Sequence, residues 1–517
     1  MLFNSYEFIY GFLPLTALFF FALSATGRPM LAAGSLALAS VFFYGYWSPP
    51  YTLLLLGSVA VNYALARCIL HARDAGRFRV SQALLVTAVA FDLGVLAYYK
   101  YANFFVDSLN AVAGTGLHLG KIVLPIGISF FTFTQIAFLV DTYQGKVRET
   151  NPVHYLLFVT YFPHLIAGPV LHHAEMMPQF ANRQTYRFDV TNLGIGVTLF
   201  SIGLFKKVIL ADGVQPFVAP VFDANPSYGL TFFEAWLGAL AYTMQLYFDF
   251  SGYSDMALGL SKMFNVDLPL NFNSPYKAQN IVEFWRRWHM TLSRFLRDYL
   301  YIPLGGNRHG EMRRYANLLI TMLLGGLWHG AGWTFVLWGG LHGVYLVINQ
   351  AWHMFRTSVL HHDLSRQTRL GRAAGVFLTF LAVVVAWTFF RAHSAHSAIN
   401  IIQSMAGLNG VLIPEQWSPV LAPSGAAGFL GIPFGYLEAF GGNRQVIWIL
   451  GLLAIAWLAP NSQQIVGWGR AVSELRTALF TLEGRAWPAL GALSVVVSLL
   501  AAINGSRGVS EFIYFNF

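Results

Sequence analysis

Cysteine and charged side chains are the residues that this sequence has least of. Cys68 is the single cysteine in 517 residues, which excludes an intrachain disulfide and a metal site built from cysteines. Charged residues make up 11% of the chain, whereas soluble globular domains carry about 25%. Glycine-rich phosphate loops, Walker motifs and zinc-type Cys/His pairs are absent as well. The sequence therefore has no signature of a disulfide-stabilised small domain, a nucleotide-binding domain or a zinc domain.

Most of the sequence consists of long apolar runs. Hydrophobic residues account for 56% of the chain and aromatic residues for 16%, and the mean hydropathy is +0.53. A membrane-crossing helix needs about 20 largely apolar residues, and a backbone in lipid must satisfy its own hydrogen bonds, which a helix does. Runs that approach this length lie at 8–24, 30–47, 51–70, 80–99, 122–140, 153–171, 191–211, 232–250, 315–333, 334–350, 374–391, 444–459 and 487–504.

These runs predict the fold class. We expect an all-α, polytopic helical membrane protein with about 11–13 spans plus interfacial amphipathic helices. The run at 8–24 lacks a basic leading segment and a small-residue cleavage site, so we interpret it as the first span and not as a cleaved signal. Residues 1–517 are predicted to form a single membrane-embedded domain with a catalytic core at about 120–350.

Loop charges predict an orientation. Arg73, Arg77 and Arg79 follow the third run, whereas the loop at 46–51 contains no lysine or arginine. Positively charged loops are retained in the cytoplasm, so this alternation places the N-terminus outside and the later basic loop at 308–314 inside. Retained basic loops also account for the formal net charge of +9, and we expect no nucleic-acid partner.

Polar residues are costly in a membrane chain and concentrate here between about 245 and 345. The first cluster, at 245–265, places Asp249 and Asp255 beside a very apolar segment, and Gly252 permits a break in the helix. One interpretation is a polar kink whose groups satisfy one another. The other is a cavity wall that contacts a ligand, and on that interpretation both aspartates are possible supporting site residues.

The second cluster, at 283–310, predicts an amphipathic helix over 284–300 that lies at the membrane surface. Its apolar arc contains aromatic and leucine side chains, and the opposite arc carries Glu283, Arg286, Arg287, Arg294, Arg297 and Asp298. Three roles are open for the basic arc. It can anchor the helix, bind lipid headgroups or bind the phosphates of a cytoplasmic substrate. His289 falls within the apolar arc, so we expect it to point away from bulk water, as a satisfied structural histidine does.

The third cluster, at 323–343, places two histidines among glycines. His329 lies inside a predicted span between Gly326 and Gly330, and His342 follows between Gly340 and Gly343. Small residues let helices approach closely and leave room for a substrate. Histidine is the side chain that accepts and returns a proton near neutral pH, as a base for an attacking hydroxyl must. Either histidine can also be structural.

Several long motifs carry a family resemblance. They are LPIGISFFTFTQIAFLVDTYQGK at 124–146, YFPHLIAGPV at 161–170, YFDFSGYSDMALGL at 247–260, EFWRRWHMTLSRFLRDYLYIPLGGNR at 283–308, LLGGLWHGAGWTFVLWGGLHG at 323–343 and EFIYFNF at 511–517. Together they resemble the membrane-bound O-acyltransferase (MBOAT) family. The branch they are most similar to acetylates bacterial exopolysaccharides such as alginate and cellulose, and is related to the teichoic-acid D-alanylation protein.

The resemblance implies which residues form the site, in which membrane the protein lies and which partners it has. The family's essential histidine matches His329 in the WHG motif, its second polar position matches His289, and His342 matches a recurring histidine of the bacterial branch. The resemblance further implies a central funnel, a multi-pass protein of the bacterial cell inner membrane and an exopolysaccharide synthesis complex. Periplasmic acetyltransferases or other polysaccharide-modifying proteins would be its partners, with membrane lipid around it.

The resemblance also supplies the reaction. We expect acetyl-CoA or an acyl-carrier thioester as the donor substrate, with no bound cofactor and no metal. Its phosphates would meet Arg286, Arg287, Arg294 and Arg308. His329 would act as a general base toward an acceptor hydroxyl or carry the acetyl group transiently, and His289 would orient the donor.

Two other classes of function stay open at this stage. One is a transporter or flippase for a saccharide or a lipid-linked intermediate, although the sequence shows none of the inverted repeats that many transporters have. The other is a membrane scaffold that only recruits an acetylating enzyme. Loss of acetyl groups with normal polymer length and secretion would distinguish the enzyme from the transporter.

Overall fold

The computed structural model describes residues 1–147, 149–223, 229–363, 368–423, 428–429, 431–467 and 510–513. Within these ranges the regular secondary structure is almost entirely helical. The strands are the two-residue segments β1 (Ile413–Pro414) and β2 (Phe434–Gly435), which pair in parallel. They lie in the Gly- and Pro-rich stretch at 408–443. The chain divides into two compact units.

The first unit comprises residues 1–205, 252–271 and the described part of 462–516. Short π-helical segments at Glu7–Phe12 and Ala97–Tyr101 and a 3-10 turn at Arg183–Tyr186 accompany its α-helices. These are α1 (Leu13–Ala25), α2 (Pro29–Trp47), α3 (Pro49–Asp74), α4 (Phe78–Leu96), α5 (Ala102–Ala113), α6 (Ile128–Tyr143), α7 (Pro152–Thr160), α8 (Phe162–Leu165), α9 (His173–Ala181) and α10 (Val190–Phe205), together with Ser462–Ile465.

The second unit comprises residues 206–251 and 272–461. It has π-helical segments at Lys206–Ala211 and Arg297–Tyr301 and 3-10 turns at Gln215–Phe217, Pro275–Lys277 and Glu415–Trp417. Its α-helices are α11 (Asp212–Val214), α12 (Ala219–Phe222), α13 (Phe232–Met263), α14 (Ile281–Trp285), α15 (Met290–Leu296), α16 (Glu311–His329), α17 (Trp333–Ser358), α18 (Arg369–Arg391), α19 (Ala395–Met405), α20 (Ser418–Leu421) and α21 (Gly442–Leu458). The last part of α13, from Gly252 onward, belongs to the first unit.

Among the described residues, six helices are long and apolar enough to cross a membrane. This confirms an all-α, polytopic membrane protein, and the six helices contain the predicted runs at 8–24, 30–47, 51–70, 80–99, 191–211 and 374–391. The helices are Glu7–Ala25, Pro29–Trp47, Pro49–Asp74, Phe78–Ala113, Val190–Phe217 and Arg369–Arg391. The predicted run at 487–504 lies outside the described residues.

Two predicted runs do not form the helices expected of them. The run at 153–171 is interrupted at Tyr161, whose backbone leaves the helical region, and only the short α8 follows. Pro163 explains the interruption, because proline lacks an N–H and its ring clashes with the carbonyl four residues earlier. The run at 122–140 becomes helical only at Ile128, after Gly127 at φ +72°.

The helix break that Gly252 would permit does not occur. The helix α13 continues through this position for 32 residues. An isolated glycine costs a helix only about 1 kcal/mol, which packing readily offsets. The carbonyl of Gly252 would lie 2.5 Å from a Cβ atom at Gly203, so the close approach of α10 depends on Gly203 having no side chain.

The second unit contains a helical hairpin formed by α16 and α17. A Cβ atom at Gly326 would lie 2.3 Å from the Phe335 carbonyl oxygen, and one at Gly339 would lie 2.3 Å from the Met322 carbonyl oxygen. The two backbones therefore touch where glycines face each other, as small residues permit between membrane helices. This contact places the end of α16 and the first turns of α17 at fixed positions.

Candidate functional site

His329 is the last residue of α16, and the hairpin turn follows it directly. Gly330 ends the helix in an extended conformation, with φ −157° and ψ 147°. The His329 side chain is buried and surrounded by rings. Its centroid lies 5.0 Å from that of Trp338, nearly perpendicular at 89°, and 5.3 Å from that of Phe390 on α18. The ring of His329, the predicted catalytic histidine, thus contacts the rings of Trp338 and Phe390, which we call its aromatic walls.

His289 does not lie within a continuous amphipathic helix, and the prediction of one over 284–300 is wrong. The chain forms α14, turns, and resumes as α15 and the π-helical segment Arg297–Tyr301, with His289 at φ 43° and ψ 52° between the two α-helices. A helical wheel cannot foresee this, because left-handed backbone is strained for residues other than glycine and is adopted only where packing over-determines it. Here the His289 ring is fully buried and meets the edge of Phe250 at 4.9 Å.

Burial also determines the protonation state of His289. Removal from water disfavours the charged imidazolium and lowers the pKa of His289 to about 3. The ring is therefore neutral at physiological pH, with one ring nitrogen that donates a hydrogen bond and one that accepts. The expectation that His289 points away from bulk water is confirmed.

The structure brings His289 and His329 together. Their ring centroids lie 6.3 Å apart at an interplanar angle of 60°. Trp328 contacts both rings, at 6.2 Å from His289 and 4.9 Å from His329. Two imidazoles this close together can act on the same substrate group.

His342 lies in the same unit, inside a cage of rings. Its side chain is fully buried. Phe284 stacks parallel to it at 6.1 Å, while Trp285 and Trp338 meet it edge-on at 5.1 and 4.9 Å. Tyr345 and Trp387 complete the surround. Trp338 touches the rings of both His329 and His342.

The two candidate aspartates have hydrogen-bonding partners. Asp249 is buried in the second unit and accepts a hydrogen bond at 2.8 Å from Lys207, which also pairs with Asp212 at 2.9 Å. Asp255 is buried in the first unit and accepts hydrogen bonds from Ser462 at 2.5 Å and Gln463 at 3.0 Å. These contacts favour the interpretation of the first cluster as polar groups that satisfy one another.

The four candidate phosphate-binding arginines differ in their surroundings. Arg286 and Arg308 are exposed, and Arg294 is half-buried. Arg287 donates to the Glu283 carboxylate at 2.7 Å and to the Asn273 carbonyl at 3.2 Å, so it also holds the turn together. Their role in donor binding stays a prediction.

Sequence reasoning missed the aromatic residues that build the walls. Trp338 precedes His342 by four positions on one helix, a spacing that places both on the same face, so the sequence did contain that signal. Phe250 and Phe390 come from α13 and α18, and no local pattern links them to the histidines. In the described parts of the chain, no three His, Cys, Asp or Glu side chains are grouped so as to hold a metal ion.

Comparison with known proteins gives consistent matches over most of the chain. Residues 83–390 match the model of the MBOAT, membrane-bound O-acyltransferase family. A peptidoglycan O-acetyltransferase of Helicobacter pylori is 43% identical over 437 residues, which covers 80% of this chain and 81% of that protein. The probable alginate O-acetylase AlgI of Pseudomonas aeruginosa is 43% identical over 412 residues, 78% of this chain and 75% of that protein.

A more distant similarity reaches a teichoic acid D-alanyltransferase of Bacillus subtilis. It is 29% identical over 300 residues, which covers 52% of this chain and 73% of that protein. The range matched by the family model contains His289, His329 and His342.

Proposed function

This chain belongs to the membrane-bound O-acyltransferase family, and on that premise we propose that it is a membrane enzyme that O-acetylates a polysaccharide. The acetyl group comes from a cytoplasmic thioester and reaches the polymer directly or through a protein partner in the periplasm. The observation that carries the proposal is the pair of buried imidazoles, His289 and His329, 6.3 Å apart within aromatic walls.

His329 activates the acceptor. A hydroxyl oxygen attacks the thioester carbonyl carbon, and the His329 imidazole takes up the hydroxyl proton. The new C–O bond forms as the C–S bond breaks, and His329 returns the proton to the departing sulfur. The enclosing rings of Trp338 and Phe390 keep water from competing with the hydroxyl.

His289 stabilises the charge that develops on the thioester carbonyl oxygen. Burial lowers the pKa of His289 to about 3, so its neutral ring donates one N–H without bringing a positive charge into the site. A donor that is already oriented and removed from water is worth more than one in solution. An alternative chemistry, in which His329 carries the acetyl group, is tested by mass analysis of the intact protein after rapid quenching with acid.

The donor enters past the arginines. Arg286 follows directly after Trp285 in the cage, and its exposed guanidinium is available to an incoming phosphate. Arg308 is also exposed, in a turn that Asn317 holds by donating a hydrogen bond at 2.9 Å to the Gly306 carbonyl. Coenzyme A and carrier-protein thioesters both present phosphate, so both are accommodated by these contacts.

The acceptor is a polysaccharide. Residues or partners other than those described above determine which polysaccharide is used. The relatives act by name on different polymers, peptidoglycan in one case and alginate in the other. We place the protein in the bacterial inner membrane, where it works with polysaccharide-modifying proteins of the periplasm and with a polymer synthesis complex.

The test compares the acetyl content of the secreted polymer from cells with wild-type protein, His329→Ala and His353→Ala. His353 lies on α17, the helix that carries His342, and serves as the matched histidine control. We expect His329→Ala to remove the acetyl groups while polymer length and secretion stay normal. Shortened or retained polymer would indicate a transporter, and full acetylation by an inserted His329→Ala protein would indicate a scaffold.

A further inference from the structure

Asp92 is a buried acidic residue that the proposed reaction does not use. It lies on α4, within the membrane-crossing helix Phe78–Ala113, and its exposed fraction is 2%. The amide nitrogen of Asn62, near the middle of α3, donates a hydrogen bond to Asp92 Oδ1 at 2.7 Å. Among the residues that the structure describes, Asp92 makes no ion pair. An ionised carboxylate without a countercharge is very costly inside a membrane protein, so a carboxyl group in this position favours its neutral form.

Hydrogen bonds extend from this pair across four helices of the first unit. The Asn62 amide also donates to the Ser58 carbonyl, one turn earlier on α3, at 3.1 Å. Gln135 on α6 donates to the Ser58 hydroxyl oxygen at 2.9 Å, and Tyr155 on α7 donates to Gln135 Oε1 at 3.3 Å. All of these side chains are buried. Their hydrogen bonds must therefore be made within the protein.

Two acceptor atoms at the Asp92 end of this network are left over. Asp92 Oδ2 and Asn62 Oδ1 are both shielded from solvent, and neither has a hydrogen-bond partner among the residues that the structure describes. The orientation of the Asn62 amide is determined by its neighbour, because the Ser58 carbonyl can only accept and so must face the nitrogen. Two acceptor oxygens cannot bond to each other unless one of them carries a proton. The carboxylic acid form of aspartate supplies that proton.

The chemistry of the two groups indicates where the proton lies. A carboxylic acid and a primary amide bind each other through two parallel hydrogen bonds, one from the amide N–H to the acid carbonyl and one from the acid O–H to the amide carbonyl. The first of these bonds joins Asn62 Nδ2 to Asp92 Oδ1. The second would join the two oxygens that have no partner. A proton needs no cavity, whereas a water molecule or a metal ion in the same place would need one.

We propose that Asp92 is a proton-binding site, a neutral carboxylic acid that donates its proton to Asn62 Oδ1. This inference is independent of the proposed function, since it concerns the first unit and uses no residue of the candidate site. Asp249 provides a contrast within the same chain, because its buried carboxylate has the Lys207 ammonium at 2.8 Å as a countercharge. The acid–amide pair instead joins α3 to α4 without placing a charge in either helix.

The experiment records infrared difference spectra of the full-length protein at neutral pH. The carbonyl stretch of a carboxylic acid lies at a higher frequency than the bands of carboxylates and amides, so the two forms of aspartate are distinguished directly. The protein is held in micelles of an ester-free detergent, because lipid ester carbonyls absorb in the same region. The variant is Asp92→Asn, in which the new amide can both donate to Asn62 and accept from it. The matched control is Asp74→Asn, because Asp74 is an exposed aspartate at the end of α3.

We expect the spectrum of wild type minus Asp92→Asn to contain a carboxylic acid band, and that of wild type minus Asp74→Asn to contain carboxylate bands only. In Asn62→Leu the acid band of Asp92 should persist and move to higher frequency, because the acid loses its hydrogen-bond partner. Carboxylate bands in the Asp92 difference, or an acid band that Asn62→Leu leaves unmoved, would overturn the inference. If a variant fails to fold, wild type with ¹³C-labelled aspartate carboxyls decides the question, since the absence of an isotope-shifted acid band would overturn the inference as well.

Discussion

The imidazole rings of His289 and His329 lie 6.3 Å apart, although one belongs to a turn between two short helices and the other to the end of a long one. Two features of the fold produce this pairing. The left-handed conformation of His289 turns its ring inward, and the glycine contact between α16 and α17 determines where α16 ends. Substitutions at His289 and at Gly326 can test the two features separately.

Removal of the His329 imidazole should abolish transfer without unfolding the protein. In His329→Gln the amide fills part of the space but cannot take up a proton, so kcat/KM should fall by about 10²–10⁴-fold. The measurement is acetyl transfer by purified protein in nanodiscs, with His353→Gln as the control and the thermal unfolding midpoint as the check on folding. Activity near that of wild type would rule out His329 as the base.

The backbone of His289 should tolerate asparagine and reject valine. Asparagine adopts the left-handed conformation readily, whereas a β-branched residue is strained there. His289→Asn should therefore fold and lose activity, while His289→Val should in addition lower the thermal unfolding midpoint. Equal unfolding midpoints for the two variants would contradict the observed φ of 43°.

His289 should make stability depend on pH in acid. Burial lowers the pKa of His289 to about 3 in the folded protein, so between that pH and the usual histidine value of about 6.5 only the unfolded state binds the proton. The contribution of His289 to the free energy of unfolding is complete above about pH 6.5. It is lost as the pH falls, by at most about 1.4 kcal/mol per pH unit. Unfolding midpoints between neutral pH and pH 5 should fall more steeply for wild type than for His289→Asn.

The hairpin should not accept a side chain at Gly326. A Cβ atom there would lie 2.3 Å from the Phe335 carbonyl oxygen, so Gly326→Ala must separate the two helices. We expect a loss of about 1–3 kcal/mol of stability and a loss of activity as His329 shifts. Gly332→Ala is the control, since its nearest contact would be an ordinary 3.5 Å. Equal behaviour of the two variants would show that the close approach is unimportant.

Replacing Lys207 should leave a buried carboxylate without its ion pair. Lys207→Met removes the charge that lies 2.8 Å from Asp249, and breaking a buried pair in this way costs about 3–5 kcal/mol. Thermal unfolding of the purified protein should show the loss, and adding Asp249→Asn should recover much of it. If the double variant is no more stable than the single one, Asp249 has a role beyond this ion pair.

The helical class follows from the apolar runs, because lipid leaves the backbone no other partner. The sequence also shows why Trp338 and His342 meet, since they are four positions apart on one helix. A helical wheel could not predict the turn at His289, because it assumes that the helix is continuous. The walls supplied by Phe250 and Phe390 depend on tertiary packing between helices that are distant in sequence.

The polar residues themselves could be identified from the sequence, but their partners could not. The pattern around Asp249 and Asp255 indicates costly polar groups, and the structure shows how they are satisfied, by Lys207 in one case and by Ser462 and Gln463 in the other. No local pattern pairs Asp249 with Lys207, 42 positions away, or Asp255 with Ser462, 207 positions away. Nor does any local pattern show that the ring nitrogens of His342 have no hydrogen-bond partner among the residues that the structure describes.

The walls around His329 have a consequence for the energy of reaction. Trp338 and Phe390 each have two rotatable side-chain bonds, and both are buried against further rings. Such side chains are already ordered before a substrate arrives, so their ordering adds little entropy cost to binding. The site is preorganised, so the conformational freedom lost on binding is mainly that of the substrate.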